Sequence, residues 1–458
     1  MALACCAAAR AIDPADPLGT RELVPPLPSQ AAGASCPWRP SAPLALTEVV
    51  DQVLCNNPQT REIWAAARAQ AAAVGIARAD YLPGIAAGAG YSARWDDSGR
   101  TGSSPDQGSA SLGLSYLLYD FGARAARAES ARELLAVALA NSDTTVQSLY
   151  LAAIRGFYGL LATRALLDAR VENERAADAS LKSAQARRVA GTATLADELQ
   201  ARTAWSQAVF DRVRGEGAAA SAQGSLASLM GYDPDWPFDL ALPPEVPAPA
   251  AFEQDLPALI ELARRNRPDL RAAESQVRAA QADLQAARAA GRPTISATTD
   301  LGVIDSAPGE RLASSAIGVN LSMPLFTGFS TTYRVQAAAQ DAAARAATRD
   351  RVALQVALDV WQAYHDLRTQ TQALASSAEL LASATQNERV ARGRYGAGVG
   401  TIVDLLNAQG ALAAARQQQV QTRLDWNVAR AALVAALGQL DMASVRSLAG
   451  ASPAPEHP

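Results

Sequence analysis

The sequence has few of the residues on which catalytic, metal-binding and nucleic-acid-binding sites depend. Its 458 residues include 2 histidines and a single lysine, Lys182. The 41 basic and 45 acidic residues give a net charge of −4. A chain without an excess of positive charge has no electrostatic footprint for nucleic acid. We therefore expect no nucleic-acid partner.

The sequence also lacks common enzyme motifs and any long apolar run. It contains no G-x-S-x-G motif, no P-loop, no dinucleotide-binding glycine pattern and no metal-ligand spacing. His365 falls inside a predicted long helix and His457 near the C-terminus, so neither indicates a catalytic base. No window holds 18 consecutive apolar residues, and no transmembrane helix is therefore expected. The sequence predicts that the chain is not an enzyme and has no cofactor and no metal.

Residues 1–45 are predicted to be a signal remnant followed by a proline-rich leader. The first eleven residues, MALACCAAARA, resemble the end of a secretory signal with an Ala9–Ala11 cleavage site. The segment Leu3–Cys5 resembles a lipoprotein signal only faintly, so lipidation is not expected. From Asp13 to Pro43 prolines are frequent without periodicity, which predicts an extended or disordered segment.

Cysteine is confined to the beginning of the chain. The four cysteines are at positions 5, 6, 36 and 55. Cys36 and Cys55 either form a disulfide in an oxidising compartment or remain unpaired, and the sequence allows both.

Two glycine-containing stretches share one layout and indicate an internal repeat. They are RRVAGTATLADELQAR (Arg187–Arg202) and RYGAGVGTIVDLLNAQ (Arg394–Gln409). Gly191 and Gly398 are 207 positions apart, and so are the aspartates that follow them, Asp197 and Asp404. Other pairs at similar offsets are Asn57-Pro58 with Arg267-Pro268, Leu114-Ser115 with Leu321-Ser322, and Gly231 with Gly438. One duplicated unit of roughly 200 residues accounts for these matches.

Each half is predicted to contain a broken helix, a β-hairpin, a long helix and a shorter helix. Apolar residues alternate with small or polar ones over Ile85–Tyr91 and Leu112–Leu118, and again over Ile295–Val303 and Ile317–Met323. This period of two predicts strands with one apolar face. Proline-free stretches then predict helices. These are Ala123–Arg188, Leu195–Met230, Ser330–Tyr395 and Ile402–Leu437.

These elements divide the chain into five segments. The first repeat covers 46–231, a proline-rich linker covers 232–257, the second repeat covers 258–438, and a C-terminal tail covers 439–458. A sharp corner joins each hairpin to its long helix, and Asp120, Gly122 and Gly328 are the candidate corner residues.

Pattern alone leaves more than one class of protein open. Four strands cannot form a closed barrel with a lumen, so membrane strands would require several copies to share one barrel. The strand lengths suit a spanning β-segment. A soluble helical rod with two hairpins fits the pattern equally well. A coiled-coil scaffold accounts for the helices but not for the hairpins or glycine turns.

The ordered set of motifs, present twice, resembles the TolC-like outer membrane factors. The matching stretches are Asn56–Pro58, Leu82-Pro83, LSYLLYDFG (Leu114–Gly122), LSMPLFTGF (Leu321–Phe329) and the two glycine turns, and the resemblance covers Leu46 to Gly438. It implies a mostly α-helical homotrimer in the cell outer membrane. Four strands per chain would form a 12-stranded β-barrel, continued by a long α-helical barrel across the periplasm. The partners implied are outer membrane lipid, a periplasmic adaptor protein and an inner-membrane transporter.

The second glycine turn resembles family members of type I protein secretion more than lipidated drug-efflux members. Thr401 followed by DLLNAQ carries this resemblance. It implies an ABC transporter as the inner-membrane partner and an exported protein, of the RTX-toxin type, as substrate. The alternative is the outer membrane component of a multidrug or metal efflux pump.

The resemblance also assigns candidate site residues. Gly191, Gly398 and Gly400 would form the periplasmic turns. Asp404 would project inward as a ring of three carboxylates that narrows the pore and attracts cations, and Asn407 stands where the family often has a second aspartate. In the resembled family a tyrosine and an arginine of the second turn form a latch with an aspartate of the first. Tyr395 and Asp197 match the tyrosine and the aspartate, and Gly400 stands at the arginine position. The alternative for both aspartates is stabilisation of a helix N-terminus.

Overall fold

The computed structural model describes residues 13, 15–26, 43–93, 107–244, 255–306 and 310–449. The chain divides into two compact units, and each unit takes segments from both sequence repeats. One contains 1–25, 64–141 and 271–352, and the other contains 26–63, 142–270 and 353–458. Several predicted features lie outside the described residues: the signal remnant, Cys36, the hairpin loops at 94–106 and 307–309, and His457.

The described residues are mostly helical, with one four-stranded sheet. The first repeat contains α1 (Leu46–Asn56), α2 (Pro58–Ala79), β1 (Gly84–Ser92), β2 (Gln107–Tyr119), α3 (Ala123–Val189) and α4 (Leu195–Leu229). The second contains α5 (Leu256–Asn266), α6 (Pro268–Ala289), β3 (Thr294–Ser306), β4 (Glu310–Ser322), α7 (Ser330–Gly396) and α8 (Ile402–Ala436), followed by α9 (Met442–Leu448). The prediction of two hairpins, two long helices and two shorter helices is confirmed. No helix in the described ranges is both long and apolar enough to cross a membrane.

Helix lengths are the same in both halves because glycine turns and threonine caps occur at equivalent positions. The long helices α3 and α7 each have 67 residues, and α4 and α8 each have 35. The long helices lack proline, and each ends at a glycine-containing turn. Threonine caps open the helices that follow, Thr194 for α4 and Thr401 for α8.

Each long helix carries an apolar stripe, which is buried in the first repeat and only partly buried in the second. Ile154, Phe157 and Leu160 of α3 are fully buried among Val49, Val50, Val53, Leu226 and Met230. At the matching positions of α7, Tyr364 and Leu367 are buried, but Trp361 remains half exposed and packs against His365. The Trp361 indole therefore lies on a face that the described chain does not cover.

The proline-rich leader is folded where the structure describes it. Residues 21–23 form a 3₁₀ turn, and the Asp16 carboxylate accepts backbone hydrogen bonds from Thr20 and Arg21 at 2.8 and 2.7 Å. Val24 is buried against α2, where the Trp64 indole donates a hydrogen bond to the Pro25 carbonyl at 3.0 Å. The expectation of an extended or disordered leader is therefore wrong for residues 15–26.

Leu44 and Cys55, near the N-terminus, each make a defined contact. Leu44 forms a parallel bridge with Leu240 of the linker, through backbone hydrogen bonds of 2.8 and 2.9 Å. Cys55 is disulfide-bonded, which rejects the unpaired alternative for this cysteine.

Helices meet end to end at one junction in each repeat. The Asn57 side chain donates to the carbonyl of Leu229 at the end of α4, at 2.9 Å. At the equivalent place Arg267 donates to the carbonyl of Ala436 at the end of α8, at 3.5 Å. Both bonds satisfy a C-terminal carbonyl that has no partner inside its own helix. The Asn57-Pro58 and Arg267-Pro268 motifs thus receive the ends of the shorter helices.

Glycine is required at both junctions. Gly231 and Gly438 have φ of 82° and 71°, in the left-handed region. A Cβ on Gly231 would lie 2.7 Å from the Asn56 carbonyl oxygen, and one on Gly438 would lie 2.9 Å from the Asn266 carbonyl carbon. Side chains do not tolerate such distances to backbone.

The sheet has the order β1-β2-β3-β4, with every pair antiparallel. Directly opposite residues share a face, and the register aligns Ile85 with Leu114, Leu114 with Thr299, and Thr299 with Ile317. The predicted apolar sets of all four strands therefore form one continuous face. This face is solvent-exposed in the single chain, with Ile85 at 69% and Ile317 at 87% exposure.

We predict that Gly438→Ala destabilises the protein by more than about 1 kcal/mol, because alanine at positive φ is strained and its Cβ would overlap backbone. Gly410→Ala in α8 is the matched control, since a Cβ there meets nothing within 4 Å. Alanine should stabilise that helix by up to about 1 kcal/mol. Thermal unfolding of the two purified variants gives the comparison. Equal unfolding temperatures would contradict the close contact at Gly438.

Candidate functional site

The helices that flank the two glycine turns pack together within one compact unit. The first turn comprises residues 190–194, between α3 and α4, and the second comprises 397–401, between α7 and α8. A buried apolar cluster joins the helices that flank them. Its members are Leu181, Ala184, Ala201, Tyr395, Ile402 and Leu405. The internal repeat therefore brings two distant parts of the sequence to one place.

The predicted turn glycines have two different roles. Gly191 and Gly398 have φ of 74° and 79° and end the long helices in the left-handed region. Gly400 leaves room at the end of α7, because a Cβ there would come within 3.1 Å of the Tyr395 backbone nitrogen.

Asp197 and Asp404 occupy the same position in two capping boxes. The Thr401 backbone N–H donates to Asp404 Oδ2 at 3.2 Å, and the Asp404 N–H donates to Thr401 Oγ1 at 3.1 Å. Thr194 and Asp197 form the equivalent pair, at 2.8 and 3.2 Å. Hydrogen bonds from the threonine side chain and backbone lower the pKa of the Asp404 carboxyl, and those of Thr194 lower the pKa of Asp197. Both side chains are therefore carboxylates at neutral pH.

The predicted constriction residues lie on one exposed face of α8. Asp404 and Asn407 are both exposed and line a groove of about 430 Å³ together with Arg394. Arg394 also contributes to lowering the pKa of Asp404. A single chain presents one such carboxylate, so the ring of three stays a prediction.

The structure does not join the predicted latch residues. Tyr395 is buried, and its hydroxyl has no hydrogen-bond partner among the described residues. The Asp197 carboxylate accepts hydrogen bonds from the backbone N–H and the hydroxyl of Thr194. The Tyr395–Asp197 latch therefore stays a prediction for the assembled protein.

Arg187 instead makes a polar contact between the helix ends that precede the two turns. From the last turn of α3, its Nη2 donates to the carbonyls of Tyr395 and Gly396, the latter at 3.0 Å. Its Cζ lies 4.3 Å from the centroid of the Tyr395 ring. Sequence reasoning missed Arg187. The only available signal was its offset of 207 from Arg394, which marks both as turn arginines but does not show which one reaches across.

Two further polar contacts surround the turns. The Gln409 amide donates to Ser180 Oγ at 3.1 Å and ties α8 to α3 in a buried setting. Arg188 forms an ion pair with Glu198 at 2.5 Å, which stays within the first turn and its flanking helices. The adjacent residues Arg187 and Arg188 therefore have different partners, the end of α7 and Glu198.

The strand–helix corners are built from different residues in the two repeats. Asp120 accepts hydrogen bonds from the N–H groups of Gly122 and Arg124 at 3.2 and 2.8 Å, and pairs with the Arg124 guanidinium at 3.2 Å. Both charged side chains are about nine-tenths buried. At the equivalent positions of the second repeat, Thr327 and Thr331 share a hydrogen bond of 3.1 Å.

Each corner turns through two consecutive residues of positive φ, of which the sequence identified only the glycine. These pairs are Phe121-Gly122, at 52° and 91°, and Gly328-Phe329, at 60° and 63°. Phe121 is equivalent to Gly328, so glycine and phenylalanine exchange places. The left-handed phenylalanines could not be foreseen, since that conformation is rare for bulky residues.

Within the described ranges, no group of three His, Cys, Asp or Glu side chains is placed to hold a metal ion. The polar residues at the turns and corners bond to backbone and to one another. They form helix caps, clamps and corners rather than a reaction centre.

Comparison with known proteins agrees with this arrangement. The family model described as "Outer membrane efflux protein" matches residues 49–232 and 259–439. Protein CyaE of Bordetella pertussis is 32% identical over 432 residues, which cover 92% of this chain and 90% of CyaE. The toluene efflux pump outer membrane protein TtgC of Pseudomonas putida is 27% identical over 404 residues, which cover 86% of this chain and 83% of TtgC.

The fold also matches a solved channel. The crystal structure of the Campylobacter jejuni CmeC outer membrane channel superposes with a TM-score of 0.76 at 17% identity, over 88% of this chain and 89% of CmeC. The duplicated strand and helix order of the described chain is thus that of a known outer membrane channel. The chain belongs to the outer membrane efflux protein family of TolC-like channels, located in the outer membrane and extending into the periplasm, and it is not an enzyme.

Proposed function

We propose that this chain forms the outer membrane channel-tunnel of a type I secretion system. It would provide the exit duct across periplasm and outer membrane for an exported protein of the RTX-toxin type. The second turn, Thr401 followed by DLLNAQ, carries this proposal by its resemblance to members of type I secretion. The greater identity to CyaE than to the toluene efflux protein TtgC, 32% against 27%, favours it over drug efflux.

The sheet edges support assembly into a homotrimer. In the described chain β1 pairs with β2 and β4 pairs with β3, which leaves the outer edges of β1 and β4 available. Unpaired backbone groups are too costly in lipid, so a membrane sheet must close on itself. Pairing of β4 from one copy with β1 of the next removes both edges. Three copies of a four-stranded sheet would give a closed barrel of about 12 strands, within the range of outer membrane barrels.

The two faces of the sheet support its orientation in such a barrel. One face carries the aligned apolar residues, including Ile85, Leu114 and Ile317. The opposite face carries small and polar residues, including Ser111, Asp300 and Asn320. The apolar face would contact outer membrane lipid, and the polar face would line the lumen.

The exposed face of α8 supports a cation-attracting constriction at the periplasmic turns. Threefold symmetry would place three Asp404 carboxylates around one axis, with Asn407 one helical turn away. Capping by Thr401 lowers the pKa of this carboxyl in the single chain, which would oppose the rise that neighbouring carboxylates cause in one another. A ring of carboxylates favours cations in a pore. Gly191, Gly398 and Gly400 would form the tip, and Asp120, Gly122 and Gly328 would connect barrel to helices.

The proposed partners follow from this arrangement. They are a periplasmic adaptor, an inner-membrane ABC transporter, and the exported protein. Within one protomer, segment 46–231 would supply half of the strands and half of the tunnel helices. Segment 258–438 would supply the other half, after the 232–257 linker. The runner-up is an efflux pump component, which the similarity to TtgC supports.

We predict that Asp404→Asn lowers the cation selectivity of the reconstituted channel, because it removes the ring charge. Asp197→Asn is the matched control, since it disturbs the equivalent cap of α4 without removing a ring carboxylate. Reversal potentials in a salt gradient across a planar bilayer measure the effect. If both variants lose selectivity equally, or neither does, Asp404 acts only as a helix cap.

Deletion of the gene tests the substrate class. We expect the exported protein to disappear from the culture supernatant and to return with a plasmid copy, while resistance to toxic compounds stays unchanged. The reverse result, drug sensitivity with normal secretion, would support the efflux alternative. Recovery of the protein as a soluble monomer, rather than as heat-modifiable trimers in the outer membrane, would exclude both.

A further inference from the structure

Arg187 connects the ends of the two long helices, immediately before the two glycine turns. It lies in the last turn of α3, half-buried, and forms no ion pair among the described residues. Its guanidinium bonds to the carbonyls of Tyr395 and Gly396 and stacks on the Tyr395 ring at 4.3 Å. All three contacts are to the end of α7, immediately before the second turn.

The acceptors of Arg187 are carbonyls that α7 cannot satisfy by itself. Tyr395 and Gly396 are the last two residues of α7, where carbonyl groups lack intrahelical partners. The Tyr395 carbonyl also accepts a hydrogen bond from the Gly398 N–H of the turn at 3.1 Å, so Arg187 is its second donor. The negative end of the helix dipole is also located there, so a cation is favoured. One planar guanidinium supplies both the charge and the donors. Charge-assisted hydrogen bonds of this kind are stronger than neutral ones.

Tyr395 contributes its ring and not its hydroxyl to this contact. The side chain is buried at 6% exposure, and its hydroxyl has no hydrogen-bond partner among the described residues. A guanidinium within about 6 Å of a ring centroid is attracted by the ring's negative face. The contact therefore needs an aromatic residue at position 395, but not specifically tyrosine.

The repeat shows that this contact is asymmetric. The residue equivalent to Arg187 is Arg394, which is exposed and lies beside Asp404 on the groove of α8. The first turn thus reaches the second through Arg187, whereas Arg394 stays on its own side. Gly400 leaves the second turn without an arginine of its own at the position where the resembled family has one.

We propose that Arg187 is the positioning residue that holds the second turn, with Asp404 and Asn407, against the first turn. Its contact with the ring and carbonyls takes the place of a hydroxyl-to-carboxylate latch between Tyr395 and Asp197. The expected consequence is that Arg187 sets how readily the tip of the channel opens, and this consequence rests on the proposed channel function. The contact itself is independent of that function.

The test compares Arg187→Gln with Arg188→Gln in the full-length purified protein. Arg188 is the matched control, because it is adjacent and pairs with Glu198 instead. Two readouts are used: hydrogen exchange of the backbone amides at 397–400, and conductance in planar bilayers. A contact of one to two kcal/mol corresponds to a change of about 5- to 30-fold in an opening equilibrium. We expect Arg187→Gln to accelerate exchange and raise the open fraction by this factor, and Arg188→Gln to change neither.

Substitutions of Tyr395 separate the ring from the hydroxyl. Tyr395→Phe should match the unchanged protein in both readouts, whereas Tyr395→Leu should resemble Arg187→Gln. Arg187→Lys keeps the charge without the planar stack and should give an intermediate effect, which guards against simple misfolding of the glutamine variant. If Tyr395→Phe opens the channel as much as Arg187→Gln does, the hydroxyl is the latch and the proposal is wrong.

The two readouts keep the proposals distinguishable. If the unchanged protein does not conduct but Arg187→Gln accelerates exchange at the second turn, the contact stands and the channel function fails. If the unchanged protein conducts and Arg187→Gln behaves like Arg188→Gln in both readouts, Arg187 does not hold the turn.

Discussion

The sheet imposes the constraint on which the rest of the molecule depends. In the described chain its outer strands, β1 and β4, each pair on one side only, and its apolar face is exposed. Water can satisfy such edges but lipid cannot. The helices satisfy their own backbone hydrogen bonds, so the open requirement falls on the strands. Pairing with strands of other copies would satisfy the edges, and lipid would cover the apolar face.

Duplication supplies the same backbone geometry twice, but different side chains stabilise it. The hairpin corner turns on Phe121-Gly122 in one repeat and on Gly328-Phe329 in the other. A buried Asp120–Arg124 pair in the first repeat corresponds to a threonine pair in the second. The two repeats share the backbone conformation of the corner. Glycine and phenylalanine both adopt its positive φ, and either an ion pair or a pair of hydroxyls stabilises it.

The same divergence gives the two turns different tasks. Thr194–Asp197 and Thr401–Asp404 form matching capping boxes, so helix capping alone does not distinguish the repeats. The turn arginines do: Arg187 binds the carbonyls that end α7, and Arg394 remains beside Asp404. The end of the first long helix therefore makes the contact across to α7, whereas the second turn is followed by an exposed carboxylate.

The sequence by itself determined the repeat, the helix and strand order and the apolar face of each strand. Glycine, proline and a period of two are local signals that do not depend on tertiary contacts. Only the tertiary structure decided which contacts the turns make. It paired Arg187, and not Asp197, with Tyr395, left Trp361 uncovered, folded residues 15–26 onto α2 and placed Phe121 at positive φ. Each of these features depends on which distant parts of the chain lie close together in space. The spacing of residues along the sequence does not give those distances.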